Sequence, residues 1–125
     1  MSEKNITPIN DDVNADAVKK ELETDLSEVD YRHHFSKPFE WMGKTYETLD
    51  FNFTQLTGKT SLSIYSELQS KGIIIMSPRT SPHYQMILAS KACGLGADAF
   101  EAMPYRDFET ILAKTRNFIP SAALI

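Results

Sequence analysis

Cysteine, glycine and proline are scarce in this chain, and so are long apolar runs. A single cysteine, Cys93, among 125 residues excludes an internal disulfide and fits a reducing compartment. Five glycines and six prolines are too few for collagen-like or low-complexity chains. Apolar stretches such as Ile73–Met76 fall far short of the roughly 18–20 residues that cross a bilayer, so no membrane partner is expected. The opening Met1-Ser-Glu-Lys has neither the basic nor the apolar region of a secretory signal. The expectation is a cytoplasmic globular protein of one domain.

Aromatic residues are also missing from one part of the chain: all 13 Phe, Tyr and Trp lie at or after Tyr31. Charge divides at the same point. Residues 1–30 hold Lys4, Lys19 and Lys20 against nine acids, whereas residues 31–125 hold ten Lys and Arg against eight acids. The net charge of −4 is therefore −6 on one side and +2 on the other. Residues 1–30 carry too little apolar surface to offset the entropy of ordering them and read as a disordered or partly helical acidic arm. Within it Val18, Leu22, Leu26 and Val29 recur at helical spacing behind Asp16, a pattern suited to folding on a partner. Residues 31–125 read as a single globular domain.

That domain opens with period two. Phe35, Lys37, Phe39 and Trp41 alternate with Ser36, Pro38, Glu40 and Met42, Gly43 supplies a turn, and Thr45–Phe53 resumes the alternation, which predicts a β-hairpin. Pro38 has no N–H to give a ladder, so it belongs at an edge or away from the partner strand. Tyr46 is out of phase with Leu49, which predicts a bulge or a two-faced strand. Helical spacing follows: Leu56, Leu62, Tyr65 and Leu68 behind a Thr54 cap, with Gly58 interrupting or delaying the helix and Lys71-Gly72 ending it. Ile73–Met76 predicts a buried connector or third strand, and Ser77–Ser81 a loop. Ser81-Pro82 is a cap followed by Pro at the first helical position, with Tyr84, Ile87, Leu88 and Ala92 on one face up to Gly94. Asp98 is placed to cap a short turn through Phe100 and Met103. Pro104 opens a last helix with Tyr105, Phe108, Ile111, Leu112, Thr115, Phe118 and Ile119 on its apolar face. An isolated hairpin is marginal in water, so the prediction is an α+β domain, mostly α, with an N-terminal hairpin packed on three to four helices.

Chemistry-bearing motifs are thin. Gly58-Lys59-Thr60 has the context of a phosphate loop, but the required first glycine five positions earlier is Phe53, which leaves a small nucleotide-binding enzyme as a remote alternative. His33 and His34 are adjacent, so on a strand they face opposite ways and do not chelate one ion; with His83 they are expected at exposed or hairpin-edge positions. Cys93 at a helix C-terminus is expected as a small core residue. No catalytic residues, metal ligands or cofactor are predicted. A charge of +2 spread over every element argues against nucleic acid.

The run Phe35-Ser-Lys-Pro-Phe-Glu-Trp-Met-Gly-Lys-Thr-Tyr-Glu-Thr-Leu, then Phe51-Asn-Phe-Thr-Gln-Leu-Thr-Gly-Lys, then Ala99-Phe-Glu-Ala-Met-Pro-Tyr-Arg-Asp-Phe resembles the phage tail assembly chaperones over about residues 33–120. The resemblance implies a siphophage or prophage protein that acts in the bacterial host cytoplasm and is absent from the mature virion. It would bind the tape-measure protein, keep it soluble and help recruit tail-tube subunits, without cofactor or catalysis and in many copies, which leaves room for a homo-oligomer. The alternative is a phage structural or adaptor protein retained in the tail. On the chaperone reading the terminal helix is the expected contact surface, with Tyr105, Phe108, Leu112 and Phe118 as anchors, unless that face seals the domain's own core.

Overall fold

A computed structural model describes residues 29–121; the helical pattern read at Val18, Leu22 and Leu26 lies outside them. The compact unit begins at Tyr31. Its elements are strands β1 (Tyr31–Trp41) and β2 (Lys44–Phe51), helix α1 (Gly58–Ser70), a 3₁₀ turn (Pro78–Thr80), and helices α2 (Pro82–Cys93), α3 (Ala97–Glu101) and α4 (Tyr105–Arg116). This is the α+β arrangement expected, a hairpin followed by helices.

The strands pair antiparallel in a two-stranded sheet. Met42 and Gly43 both have positive φ, 52° and 77°, as a two-residue turn of the primed type requires. Gly43 was the expected position, while a methionine there is uncommon and carries a steric cost. The predicted bulge is present, and it lies in β1. His34 pairs with Thr48 and Phe39 with Tyr46, so Phe35–Pro38 stand opposite Glu47 alone. Three surplus residues are an odd number, and in a chain of period two an odd surplus changes the phase of one strand against the other. That is why Tyr46 and Leu49 both reach the apolar side while Phe39 and His33 do so from β1 with their alternation intact. Pro38 falls inside the bulge, where no ladder bond is asked of it.

The inner face of the hairpin packs Phe39, Leu49, Phe51 and, just past β2, Phe53 against Met86, Ala89 and Ala92 of α2, Phe100 of α3, and Ile111 and Leu112 of α4. A second cluster joins Ile64 and Leu68 of α1 to Tyr84 and Ile87 of α2 and to Ile119, with Ile73 and Ile75 packed beside it. Helix α2 lies between the two clusters and touches β2, the 3₁₀ turn and each of the other helices. A single apolar face over Tyr84, Ile87, Leu88 and Ala92 is therefore a correction to make: Gln85, Met86 and Ala89 are buried too, and Leu88 is only half-buried. Gln85 is tolerated there because its amide is satisfied. It donates to the carbonyls of Pro78 (3.1 Å) and Arg79 (2.9 Å) and accepts from Arg116 Nη1 (3.0 Å).

Helix ends follow local chemistry. Ser81 Oγ accepts from the Tyr84 N–H at 3.1 Å, Pro82 sits in the first turn and Gly94 closes α2 at φ 84°, as expected. Two caps differ from expectation. Thr57, not Thr54, precedes α1, and Gly96, not Asp98, precedes α3; Gly58 delays α1 by becoming its first residue. Arg79 Nη1 donates to the carbonyls of Arg116 (2.9 Å) and Ile119 (2.7 Å), satisfying the open end of α4. Among the described residues no helix is long and apolar enough to cross a membrane.

Candidate functional site

Two places carry more than core packing. The first is polar and buried. His33 points from the inner face of β1 and is 3% exposed, which corrects the expectation of an exposed or edge histidine; His34 does face solvent. His33 Nε2 lies 2.8 Å from Asp107 Oδ1, and Tyr31 Oη lies 2.7 Å from His33 Nδ1. Asp107, in the first turn of α4 and 2% exposed, also accepts from the Ser36 N–H (3.1 Å) and the Ser36 hydroxyl (2.9 Å). Ser36 belongs to the β1 bulge, so the bulge is what brings its two donors to the carboxylate.

Burial pushes the Asp107 carboxyl up, but hydrogen bonds from His33 and Ser36 outweigh it and hold the group below the ordinary carboxylate range. Burial and the nearby Asp107 charge push the Tyr31 phenol up. The phenol therefore keeps its proton, and because the ionised Asp107 can only accept, His33 Nε2–H donates to it. A raised phenol is the reverse of an activated nucleophile, and each member of the chain has its hydrogen bond inside the network. The arrangement works as a polar cross-link between β1 and α4. Sequence spacing did not reveal it because 74 residues separate His33 from Asp107. The one available signal was that Asp107, Ile111 and Thr115 share a helical stripe.

The second place is apolar and exposed. After α1 the Ile73 N–H bonds the Leu68 carbonyl (2.9 Å), and the next residues alternate: Ile73 and Ile75 pack inward, while Ile74 and Met76 are 90% and 93% exposed. The expected buried connector is thus buried on one side only, and it pairs with neither strand. Tyr65, Leu68, Gln69 and Gly72–Ile75 line a groove of about 380 Å³. Leu62, one turn before Tyr65, is also exposed, so the expected apolar face of α1 needs correction: Ile64 and Leu68 are its buried residues, and Leu62 and Tyr65 lie to one side of them. The result is an exposed apolar ledge: Tyr65 and Ile74 line the groove, with Leu62 exposed one turn before Tyr65 and Met76 exposed two residues past Ile74.

The four residues expected as anchors on the terminal helix do not form one surface. Leu112 is 1% exposed and belongs to the core. Phe108 is half-buried against that core, and Phe118 is stacked on Phe53 with ring centroids 4.5 Å apart. Tyr105 is 80% exposed and Phe118 keeps 38% of its surface exposed beyond the end of α4; α4 turns Asp107, not Tyr105, inward. Phe53, which occupies the place of a phosphate loop's first glycine, is buried. Cys93 is half-buried, and burial pushes its thiol up to about 11. Among the described residues no group of three or more His, Cys, Asp or Glu is placed to hold a metal ion. No protein-family model, no curated protein and no solved structure matches the chain.

Proposed function

We propose that this chain is a phage tail assembly chaperone: it covers apolar helical stripes of a tape-measure protein in the host cytoplasm, helps recruit tail-tube subunits, and leaves before the virion is complete. The observation that carries the reading is the exposed apolar ledge at the groove, Tyr65 and Ile74 with Leu62 and Met76 exposed beside them in the chain. An exposed patch rimmed by polar residues marks an interaction surface. On this reading the contact lies on α1 and the segment that follows it, in place of the terminal helix. The sequence resemblance over about residues 33–120 supplies the identity of the partner.

The energetics suit a temporary coat. Fully burying side chains such as Ile74 and Met76 gains about 1.5–3 kcal/mol each, while association costs about 4–15 kcal/mol in lost freedom. One chain on one stripe therefore binds weakly. Many chains along a long protein hold by avidity and remain displaceable one at a time.

The reading expects a gene for a long helical tape-measure protein beside this one, and co-expression with that protein tests it. The expected result is a soluble complex that co-purifies and is lost in Ile74→Ser with Met76→Ser. Equal insolubility of the tape-measure protein with and without this chain overturns it. Stoichiometric presence in purified virions, measured by mass spectrometry, would instead favour an adaptor retained in the tail.

A further inference from the structure

The hairpin and the segment after α1 differ in how their edges are protected. Both hairpin strands carry exposed charges along their length, Arg32, Lys37 and Glu40 on β1 and Lys44, Glu47 and Asp50 on β2, and Pro38 interrupts β1. Charges and proline are what keep a strand edge from pairing with another chain. From Gly72 to Ser77 there is neither. Three isoleucines in a row, among the strongest strand formers, alternate there in exposure, and Ser77 continues extended at φ −160° and ψ 153°.

The main chain of this segment is also unpaired. Among the described residues no hydrogen bond is made by the N–H groups of Ile74, Ile75 and Met76 or by the carbonyls from Gly72 to Met76. Ile74 and Met76, 90% and 93% exposed as whole residues, hold their backbone as well as their side chains in solvent. Ile73 N–H is aimed at the Leu68 carbonyl of α1. The C=O and N–H of one planar peptide point opposite ways, and the directions alternate along an extended chain. The Gly72 carbonyl, both backbone groups of Ile74 and the Met76 N–H therefore point away from α1, along one open edge.

We infer that this edge pairs antiparallel with the same segment of a second copy of the chain, about a two-fold axis at Ile74. Ile74 N–H then donates to the second copy's Ile74 carbonyl and Met76 N–H to its Gly72 carbonyl, and the symmetry repeats both bonds. Inward residues meet inward ones, Ile73 beside the second copy's Ile75, and outward residues meet outward ones. Lys71 falls across from the second copy's Ser77, so no like charges oppose. The charged hairpin edges are poor partners for so apolar an edge, which leaves the segment's own copy as its complement, and like-with-like pairing closes as a dimer. Two short edges bury far less than the ~1,600 Å² of a standard stable complex, so the dimer is weak and concentration-dependent. The inference goes beyond the chaperone reading and does not rest on it. Its bonds use the main chain, and the side chains of Ile74 and Met76 stay on the outer face, where two ledges come side by side as one wider apolar surface.

Sedimentation velocity of the full chain tests it. Between about 2 and 200 µM the chain should pass from monomer to dimer, as a Kd of roughly 20–50 µM requires. Ile74→Pro removes the central donor where the backbone is extended and the N–H has no internal partner. It should weaken the dimer at least about tenfold by deleting the two central bonds, with circular dichroism and melting temperature unchanged. Ile74→Thr keeps the N–H and the β-branch and should weaken it less than about threefold. Ile74→Cys with Cys93→Ala should cross-link on oxidation, because facing Cα atoms about 5.5 Å apart suit a disulfide. Leu62→Cys with Cys93→Ala, exposed but on α1, should not.

A chain that stays monomeric throughout that range overturns the inference. So does a dimer that Ile74→Pro leaves intact, or that Ile74→Thr dissolves as fully as Ile74→Pro, since side chains and not strand pairing would then hold it. Cross-linking of Leu62→Cys in place of Ile74→Cys overturns it too. A monomeric chain whose Ile74 amide exchanges slowly only after the tape-measure protein is added would make that protein the occupant, which also overturns it. A dimer with the expected behaviour that fails to solubilise the tape-measure protein leaves this inference standing and removes the chaperone reading. A monomer that solubilises it does the reverse.

Discussion

Truncating Asp107 to alanine should destabilise the domain by about 3 kcal/mol. The carboxylate accepts three hydrogen bonds, from His33 Nε2 and from the N–H and hydroxyl of Ser36. Bonds to a charged group contribute about 1.5–3 kcal/mol each, and breaking a buried pair by removing one partner costs about 3–5 kcal/mol. Ser36 is near the surface and its freed donors recover water, so the lower end of that range applies; His33, 3% exposed, has no such recourse. For a domain with total stability of about 5–15 kcal/mol and a urea slope near 1 kcal/mol/M, the midpoint should fall by roughly 2–3 M. Equilibrium urea unfolding reads this through fluorescence of the single tryptophan, Trp41, with far-ultraviolet circular dichroism as the second probe. Replacing both partners by apolar residues, His33→Phe with Asp107→Leu, should recover at least about 1 kcal/mol relative to Asp107→Ala, because neither member of the buried His33–Asp107 pair is then left without its partner. The reasoning is refuted if Asp107→Ala lies within about 0.5 kcal/mol of the parent, or if the double change is worse than the sum of the single ones.

Four further outcomes follow. Because the Asp107 carboxyl is held below its ordinary value of 3.8, its contribution should be complete above that pH and disappear as the pH falls below it toward the folded-state value; Asp107→Asn should flatten this acid limb in thermal melts from pH 2 to 6. Met42→Asn, at φ 52° beside Gly43, should raise stability by about 0.5–1 kcal/mol by supplying the residue a primed turn prefers, measured as a higher urea midpoint with unchanged slope. Phe100→Ala, where the ring is fully buried, should cost about 3–5 kcal/mol by leaving a cavity between the hairpin and α2. Ser81→Ala should cost about 1 kcal/mol by removing the acceptor for the Tyr84 N–H, a loss that Ser81→Asp should restore.

Local rules made most elements readable. The alternation from Phe35 onward, the Ser81-Pro82 cap, Gly94 and Pro104 depend on near neighbours, and α2 and α4 begin where those residues place them. Three features were hidden because their cause is tertiary. Helix α2 is central, so it is buried over most of its circumference, and a search for one apolar face could not place Gln85 inside without the carbonyls of Pro78 and Arg79 that satisfy it. His33 and Asp107 carry no short-range spacing signal. The ledge was hidden in Ile73–Met76, where four apolar residues in a row read as buried although period two, applied strictly, turns Ile74 and Met76 outward. The terminal-helix anchors failed to form one surface for a related reason: an apolar stripe indicates which residues gather on a face, but not whether the domain's own core takes that face first.

The three surplus residues of β1 also make the length of this stretch a matter of parity. Losing or gaining two residues between His34 and Phe39 would keep Phe39 and Trp41 on the side of the helices and Tyr46 beside them. A change of one would force the kink to rebuild, or would turn the aromatic tip of the hairpin outward while its base stayed in place. Chains descended from a common ancestor with this one should therefore differ here in even steps, so that insertions and deletions in the stretch behave like a frame.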